Sequence, residues 1–386
     1  MDALQGLKVI ELGQLVAGPF AGKTLGDFGA DVIKVEAAGV GDALRKWKGI
    51  RDGTSLWWEV QSRNKRSVAL DLNSAEGQEV VRNLAREADV VIENFKPGTL
   101  ERWGLGWEQL HALNPKLIML RVSGYGQTGP YRDKPGFGVL GESMGGLRYL
   151  TGEPGRAPVR VGVAIGDTIA ALHGVIGVLM ALHHRNMNGG DGQFIDVALY
   201  EAVFNAMESL LPEYDAFGTI PERTGSALPG IAPTNAYLCR DGQYVLIGGN
   251  GDSIYRRLMG VIGRDDLADD PNLKHNDGRV REMARIDGAI EDWTRTRSVD
   301  EVIAELDAVS VPVGRIYTIA DIARDPQYLA RDMILEAPTS TGRPVKMPGI
   351  VPKLSATPGR VRHRAPRLGE HNADLAQPGW PRRKES

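Results

Sequence analysis

"LKVIELGQLVAGPFAGKTLGDFGADVIKVE", Leu7 to Glu36, decides the fold class. It opens on a short apolar run closed by Gly13, the pattern of a strand buried in a parallel sheet. Small residues and Pro19 then lead into a helix, and "DVIKVE" reads as a second strand. Downstream, "SVALDL", "SAEGQEVVRNLAREA", "DVVIEN", "WEQLHALN" and "KLIMLRVSGYG" continue the alternation of strand and helix. That alternation predicts a doubly wound α/β sheet with functional loops at the carboxyl ends of its strands.

Past this region comes a long apolar run, "GVAIGDTIAALHGVIGVLMALHHR", Gly162 to Arg185. "GQFIDVAL" and the helical "YEAVFNAMESLL" follow, then a looser Gly/Pro-containing stretch. From Asn235 the pattern changes. "AYLCRDGQYVLIGG" reads as a hairpin turning at Arg240-Asp241-Gly242, with helices expected near 254–262, 280–295 and 299–308. The expected layout is a large domain over 1–217 completed by 338–386, a linker and glycine-containing loop over 218–233, and a small α+β domain over 234–337. The tail after Pro338 is rich in Pro, Gly and Arg.

A chain of 386 residues exceeds the usual single domain. A net charge of -3 supplies no basic footprint for nucleic acid. The single cysteine, Cys239, excludes an intramolecular disulfide and a thiolate metal cluster, and fits a reducing compartment. No basic n-region or apolar h-region opens the sequence, so a cytoplasmic protein is expected. Ala164 to Leu182 approaches the length of a membrane span, but it contains Asp167, His173 and three glycines. A buried helix is the expectation, with no membrane partner.

Several stretches could carry chemistry. "GQLVAGPFAG" occupies the place of a dinucleotide fingerprint, yet its spacing is not G-x-G-x-x-G. "RKWKGIR" holds four cations around Trp47, and "RNKRS" holds three before a strand. Either is ordinarily a solvated face; together, on loops of an α/β scaffold, they suggest an anionic ligand bearing a flat ring. In "ENFKPGTLERWGLG", Asn94 and Phe95 leave a strand end, Pro97-Gly98 forces a turn, and Arg102 returns on a helix. His111, His173, His183 and His184 lack metal-ligand spacing, and no metal site is expected. Asp167 is open to two readings. It caps a buried helix, as Asp does well, or it is a nucleophile held at the helix entrance.

Read in order, these pieces resemble the class III CoA-transferases, the group of formyl-CoA transferase, carnitine CoA-transferase and α-methylacyl-CoA racemase. The resemblance runs through "LKVIELGQLVAGP", "GADVIKVE", "GVGDALRKW", "NKRSVALDL", "VIENFKPGTLERWGLG", "SGYGQTGPY", "GVAIGDTIAALHG", "PVGRIYTIADIARDPQ" and "RLGEHN", which span nearly the whole chain. It implies a Rossmann-like large domain, a small α+β domain, and a homodimer of two chains interlocked like linked rings. It implies Asp167 as catalytic nucleophile. Coenzyme A is implied along Leu15, Val16, Ala17, Asn64, Lys65, Arg66, Asn94, Phe95 and Arg102, with Trp47 as the aromatic. The family's glycine-rich oxyanion loop falls on "GSALPGIAP", where Leu228-Pro229 interrupts the glycines and leaves Gly230 as the backbone donor. The implied chemistry needs no metal, nicotinamide or flavin.

The same resemblance frames the substrates. Val16 replaces the glutamine of formyl-CoA transferases, which argues against oxalate. Ala37-Ala38 replaces a basic residue that contacts a CoA phosphate. The overall pattern resembles dicarboxylate members, so succinyl-CoA is the expected donor and a dicarboxylate the acceptor. Arg148, Arg156 and Arg160 precede Asp167 as candidates for the second carboxylate. Two other functions are kept beside this one. A 2-methylacyl-CoA racemase would need a proton-transfer group where Phe137 stands, and a non-catalytic CoA-binding protein would make no use of Asp167.

Overall fold

The computed structural model describes residues 1–376 and 379–381. The chain forms two compact units: Met1–Arg148, Arg160–Ile220 and Leu329 onward make the first, and Tyr149–Val159 with Pro221–Tyr328 make the second. The division differs from the one the sequence pattern suggests. Tyr149–Val159 leaves the large unit although no composition change marks it, and the return to the first unit comes at Leu329, before the Pro-rich tail.

The first unit is built on β1 (Lys8–Glu11), β2 (Asp31–Ala37), β3 (Lys65–Leu70), β4 (Val90–Glu93), β5 (Ile118–Ser123) and β6 (Phe194–Ala198). All neighbouring pairs are parallel, in the order β3-β2-β1-β4-β5-β6. This is the doubly wound order, with a switch point between β1 and β4. The strands are apolar on both faces because both are covered. Val9, Val32, Val90 and Ile118 point to one side, where they meet α1 (Ala17–Asp27) and a long helix. Ile10, Ile33, Val91 and Met119 point to the other, against Val81, Leu84 and Ala85 of α2 (Ala75–Ala85). Burial on two faces explains runs such as Val-Ile and Val-Val-Ile without polar alternation.

Three further helices of this unit matter: α3 (Gly138–Met144), α4 (Ile165–Asn188) and α5 (Leu199–Phe204). The long helix α4 was expected to be buried, and only one face is. Ala170, Ala171, Gly174, Val175, Val178 and Ala181 pack on the sheet, while Leu172, Ile176, Leu179 and Met180 are exposed. By length and composition α4 could cross a membrane. From Leu329 the chain covers the sheet edge at β3. His363 accepts a backbone hydrogen bond from Asn64, and the His371 ring accepts one from Ser67, so the edge is not left open.

The second unit is α+β. β7 (Thr234–Leu238) and β8 (Tyr244–Gly248) form the expected hairpin, and β9 (Val313–Arg315) extends the antiparallel sheet beside β8. Val245, Ile247 and Tyr237 pack on α6 (Asp252–Val261), α7 (Met283–Thr294) and α8 (Val299–Asp307). Ser298 opens α8 with a capping box closed by Glu301.

Candidate active site

The site develops from the switch point. There the loops after β1 and β4 separate to opposite faces of the sheet and leave a crevice. Asn94 ties the two together: its Oδ1 accepts from the Gln14 N–H at 2.7 Å and its Nδ2 donates to the Gln14 carbonyl at 2.8 Å. A Cβ on Gly13 would come within 3.0 Å of both Asn94 Oδ1 and Gly18, so only glycine lets the loops close this tightly. Leu15 adopts φ 62°, an uncommon conformation for a side chain of its size, and its N–H donates to Asp42 at 3.1 Å.

Beneath that loop lies a buried charge cluster. Lys34 Nζ reaches Glu11 and Asp42, each at 2.9 Å, and donates to the Gly13 carbonyl at 2.8 Å. Lys65 Nζ meets Glu11 at 2.6 Å and donates to the Pro19 carbonyl. Burial pulls Lys34 down, but Glu11, Asp42 and Glu36 outweigh it and hold it above its ordinary value. For Lys65 burial prevails over Glu11, and it falls to about 8. These charges set the shape of the β1 loop from behind.

Asp167 stands in the first turn of α4. The helix starts at Ile165 with Ala164 as its N-cap, so Asp167 is not the cap. From the first turn its carboxylate takes its own backbone N–H, one of the free donors of the helix end. Gly138, at the start of α3, makes room for its carboxylate: a Cβ there would lie 1.9 Å from Asp167 Oδ2. Burial, then the nearby Glu142 carboxylate, push Asp167 up to about 6, against its own backbone N–H and Arg160. It is ionised at neutral pH and more basic than an ordinary carboxylate. The α4 N-terminus favours that anion by ~0.3–1 kcal/mol.

Two cavities meet at this side chain. One, of ≈ 320 Å³, follows the crevice and is lined by Leu15, Val16, Ala17, Asn94, Phe95 and Asp167, with Arg132 and Lys134 on its wall. The other, of ≈ 310 Å³, is lined by Trp47, Lys48, Trp57, Arg160 and again Leu15, Val16, Phe137 and Asp167. The rings of Trp47 and Trp57 are 6.2 Å apart, and Lys48 Nζ sits 4.7 Å from the Trp57 ring centre. On the crevice side Phe95 is held edge-on to Trp103, and its N–H donates to Glu93 at 2.7 Å. Burial raises Glu93 to about 7 even beside Arg121.

The structure therefore brings together Leu15, Val16, Ala17, Asn94, Phe95, Trp47 and Asp167. It does not bring Asn64, Lys65, Arg66 or Arg102 to these cavities. Asn64 donates to Asp27 at 2.8 Å and accepts from Arg362, while Arg66 pairs with Asp31 at 2.6 Å; both are buried. Lys65 and Arg66 border a separate cavity with Arg364 and His371. Arg102 is exposed and donates to Thr99. Gly230 belongs to the second unit, where it has φ 69° and its carbonyl accepts from Asn276 at 2.8 Å. Trp57, Arg132 and Lys134 were not singled out from sequence, and Lys48 only as one of the four cations of "RKWKGIR". Arg132 and Lys134 follow the carboxyl end of β5, and that position was the available signal. Among the described residues no group of three or more His, Cys, Asp or Glu could hold a metal ion.

Residues 4–372 match the family described as CoA-transferase family III. The chain belongs to this family. It is 49% identical over 373 residues to the succinyl-CoA–D-citramalate CoA-transferase of Chloroflexus aurantiacus, covering 96% of this chain and 92% of that one. It is 37% identical to the succinate–glutarate CoA-transferase of Agrobacterium fabrum, covering 96% and 94%. Among solved structures, a CaiB/BaiF family protein from Brucella suis superposes with a TM-score of 0.84 at 39% identity, covering 96% of this chain and 98% of that one. The protein is a class III CoA-transferase with a parallel central α/β sheet, and it takes CoA as co-substrate.

Proposed function

We propose that this CoA-transferase moves CoA from succinyl-CoA to a dicarboxylic acid, with Asp167 as the covalent carrier. The observation that carries the reading is that one carboxylate, Asp167, lines both cavities. A transferase must present one nucleophile to a long thioester and to a small acid, and two openings onto one side chain suit that need. The relatives named above act on succinyl-CoA or succinate with a second dicarboxylate, which favours the same substrate class here.

The steps balance without a proton or an electron donor. Asp167 attacks the thioester carbonyl, the C–S bond breaks, and CoA thiolate leaves a mixed succinyl-aspartyl anhydride. The thiolate attacks the Asp167 carbonyl carbon, the anhydride C–O bond breaks, and succinate departs from an aspartyl-CoA thioester. The acceptor carboxylate then attacks that thioester and expels thiolate. The thiolate takes the acceptor's acyl group and releases Asp167. Every step exchanges one activated acyl group for another.

On this reading CoA lies along Leu15, Val16, Ala17, Asn94 and Phe95, with Arg102 outside the crevice and Trp47 stacking. Asn64, Lys65 and Arg66 serve it indirectly, by fixing the β1 loop and the edge strand. The resemblance assigns the backbone oxyanion donor to Gly230, the kind of group whose removal costs about 10²–10³ in rate. The exposed apolar residues of α4, with Leu211 and Phe217, favour burial against a second copy, and the interlocked homodimer and the cytoplasmic location follow from the family resemblance. Phe137, beside Asp167 in both cavities, carries no proton for the α-proton exchange of a racemase.

The test is direct. Asp167→Asn should abolish label exchange between succinyl-CoA and a dicarboxylate while CoA still binds. Hydroxylamine added during turnover of the unaltered enzyme should leave a hydroxamate on residue 167. Retained exchange in the variant, read by mass spectrometry, would remove Asp167 from the mechanism.

A further inference from the structure

A diacid poses a problem that the chemistry above does not address. Its reacting carboxylate must approach Asp167, yet Glu142 lies buried beside Asp167 and adds negative charge there. The second carboxylate brings one more anion into the same place. Such a substrate is accepted only if a cation waits at its far end.

Three arginines precede Asp167, and the fold separates them. Arg148 is engaged, its Nη2 bonding Glu142 at 3.0 Å. Arg156 lies on the Tyr149–Val159 segment of the second unit. Arg160 is the first residue back in the first unit, and it lines the ≈ 310 Å³ cavity together with Asp167. Its charge reaches the Asp167 carboxyl and lowers its proton affinity. Lys48 lines the same cavity over the Trp57 ring, with φ 56° turning the chain there. Arg160 and Lys48 are exposed, and among the described residues neither is paired with a carboxylate. Two uncommitted cations thus share one small cavity with the nucleophile, flanked by indole rings that would cover a short carbon chain.

We infer that Arg160, assisted by Lys48, binds the non-reacting carboxylate of the diacid and so sets the preference for dicarboxylates over monocarboxylates. The inference rests on the transferase reading, and it deepens it in one respect. Donor and acceptor use the same anchor in turn, because the succinyl group of succinyl-CoA also carries a free distal carboxylate. The wall shared by the two cavities divides the work: the crevice takes CoA as far as its thioester, which meets Trp47 at Asp167, and the Lys48, Trp57 and Arg160 side takes the rest of the acid.

The experiment compares four-carbon acids that differ only in the distal group. Exchange of isotopically labelled succinate into succinyl-CoA, and of labelled butyrate into butyryl-CoA, is measured for wild type, Arg160→Gln, Arg160→Lys and Lys48→Met. Succinate and butyrate binding are measured in parallel by calorimetry. Arg160→Gln should raise the succinate KM by about ten- to a hundredfold, the range for a hydrogen bond to a charged group, and lower butyrate exchange only by the smaller amount that follows from losing a charge near Asp167. Arg160→Lys should recover part of the loss, and Lys48→Met should lose less than Arg160→Gln. Equal losses for both acids, or no loss for succinate, would overturn the anchor, as would a wild type that binds succinate no better than butyrate. Succinate binding that depends on Arg160 in a protein that exchanges no CoA would keep the anchor and reject the transferase reading.

Discussion

The first unit contains two sets of cations that differ in what faces them. Lys34, Arg63, Lys65 and Arg66 are buried, and each meets a carboxylate from Glu11, Asp42, Asp27 or Asp31. Lys48, Arg132, Lys134 and Arg160 are exposed along the two cavities at Asp167, and among the described residues only Arg132 of these forms an ion pair, with Asp133 at 3.9 Å, while Arg160 acts on Asp167 at longer range. A cation already neutralised inside the fold has little left for a ligand. One that stands unpaired at an open cavity has its whole charge to offer. Basic residues count toward a binding site by what is missing around them.

The largest effect separating the sets concerns stability. Lys34→Met takes the buried cation from Asp42 and leaves Glu11 with Lys65 alone, and breaking a buried pair this way costs about 3–5 kcal/mol. Denaturant unfolding should show that loss, and the variant should be at risk of not accumulating as folded protein. A cost below ~1 kcal/mol would mean the buried set is not structural. Next in size is Gly138→Ala. A new Cβ at 1.9 Å from Asp167 Oδ2 must displace the carboxylate, and misplacement by about 1 Å is worth roughly a hundredfold in turnover. The thermal midpoint should move by only a few degrees, so kinetics and stability part company at this position and not at Lys34.

Much of this was readable from residues, and the unreadable part has definite physical causes. The doubly wound sheet was legible because strands covered on both faces carry unbroken apolar runs, as in Val90 to Ile92. The hairpin was legible from Asp241-Gly242. Asp167 drew attention by pattern and took its role from the family resemblance. What decided against the cap was the helix start at Ile165, which turn chemistry around Val163 and Ala164 does not announce. The run Arg63 to Arg66 could not be read locally because the partners of its cations sit on other elements. Asp27 ends α1, 36 residues before Arg63, and Asp31 opens β2, 35 residues before Arg66, and only the fold brings them alongside. Arg160 could not be told from Arg148 and Arg156 because the chain leaves the first unit between them without a change in composition. Such assignments depend on long-range packing and not on local pattern.

The pH dependence sharpens the contrast at Asp167 itself. Its carboxyl is raised from 3.8 to about 6, first by burial and then by Glu142. The nucleophile is the ionised form, so kcat/KM should rise through pH 6 and level off above it. Stability runs the other way. The folded chain holds the Asp167 proton more tightly than the unfolded chain does, so this contribution is fully present below 3.8 and is lost as pH rises through 6. Asp167→Asn should therefore be slightly more stable than wild type at pH 8, with the difference shrinking toward pH 4. A variant less stable at pH 8 would mean that the carboxylate is part of the frame, like Glu11, and not a strained functional group.

The smallest effect belongs to the exposed cations on the crevice side. Lys134 Nζ rests 3.6 Å from the Tyr131 ring centre, and Arg132 is loosely placed beside Asp133. Exposed charges of this kind contribute ~0.2–1 kcal/mol each, so Arg132→Ala with Lys134→Ala should raise the KM for the CoA thioester by about two- to thirtyfold. Their action is screened over about 10 Å at 0.1 M salt and over about 3 Å at 1 M. Wild type and the double variant should therefore converge as salt is raised, and their unfolding midpoints should coincide throughout. The Lys34→Met defect should persist at high salt, because its charges lie beyond the reach of counterions. A double variant that unfolds early, or that stays impaired at 1 M salt, would place these two residues with the buried set and dissolve the distinction between framework and ligand-facing charge.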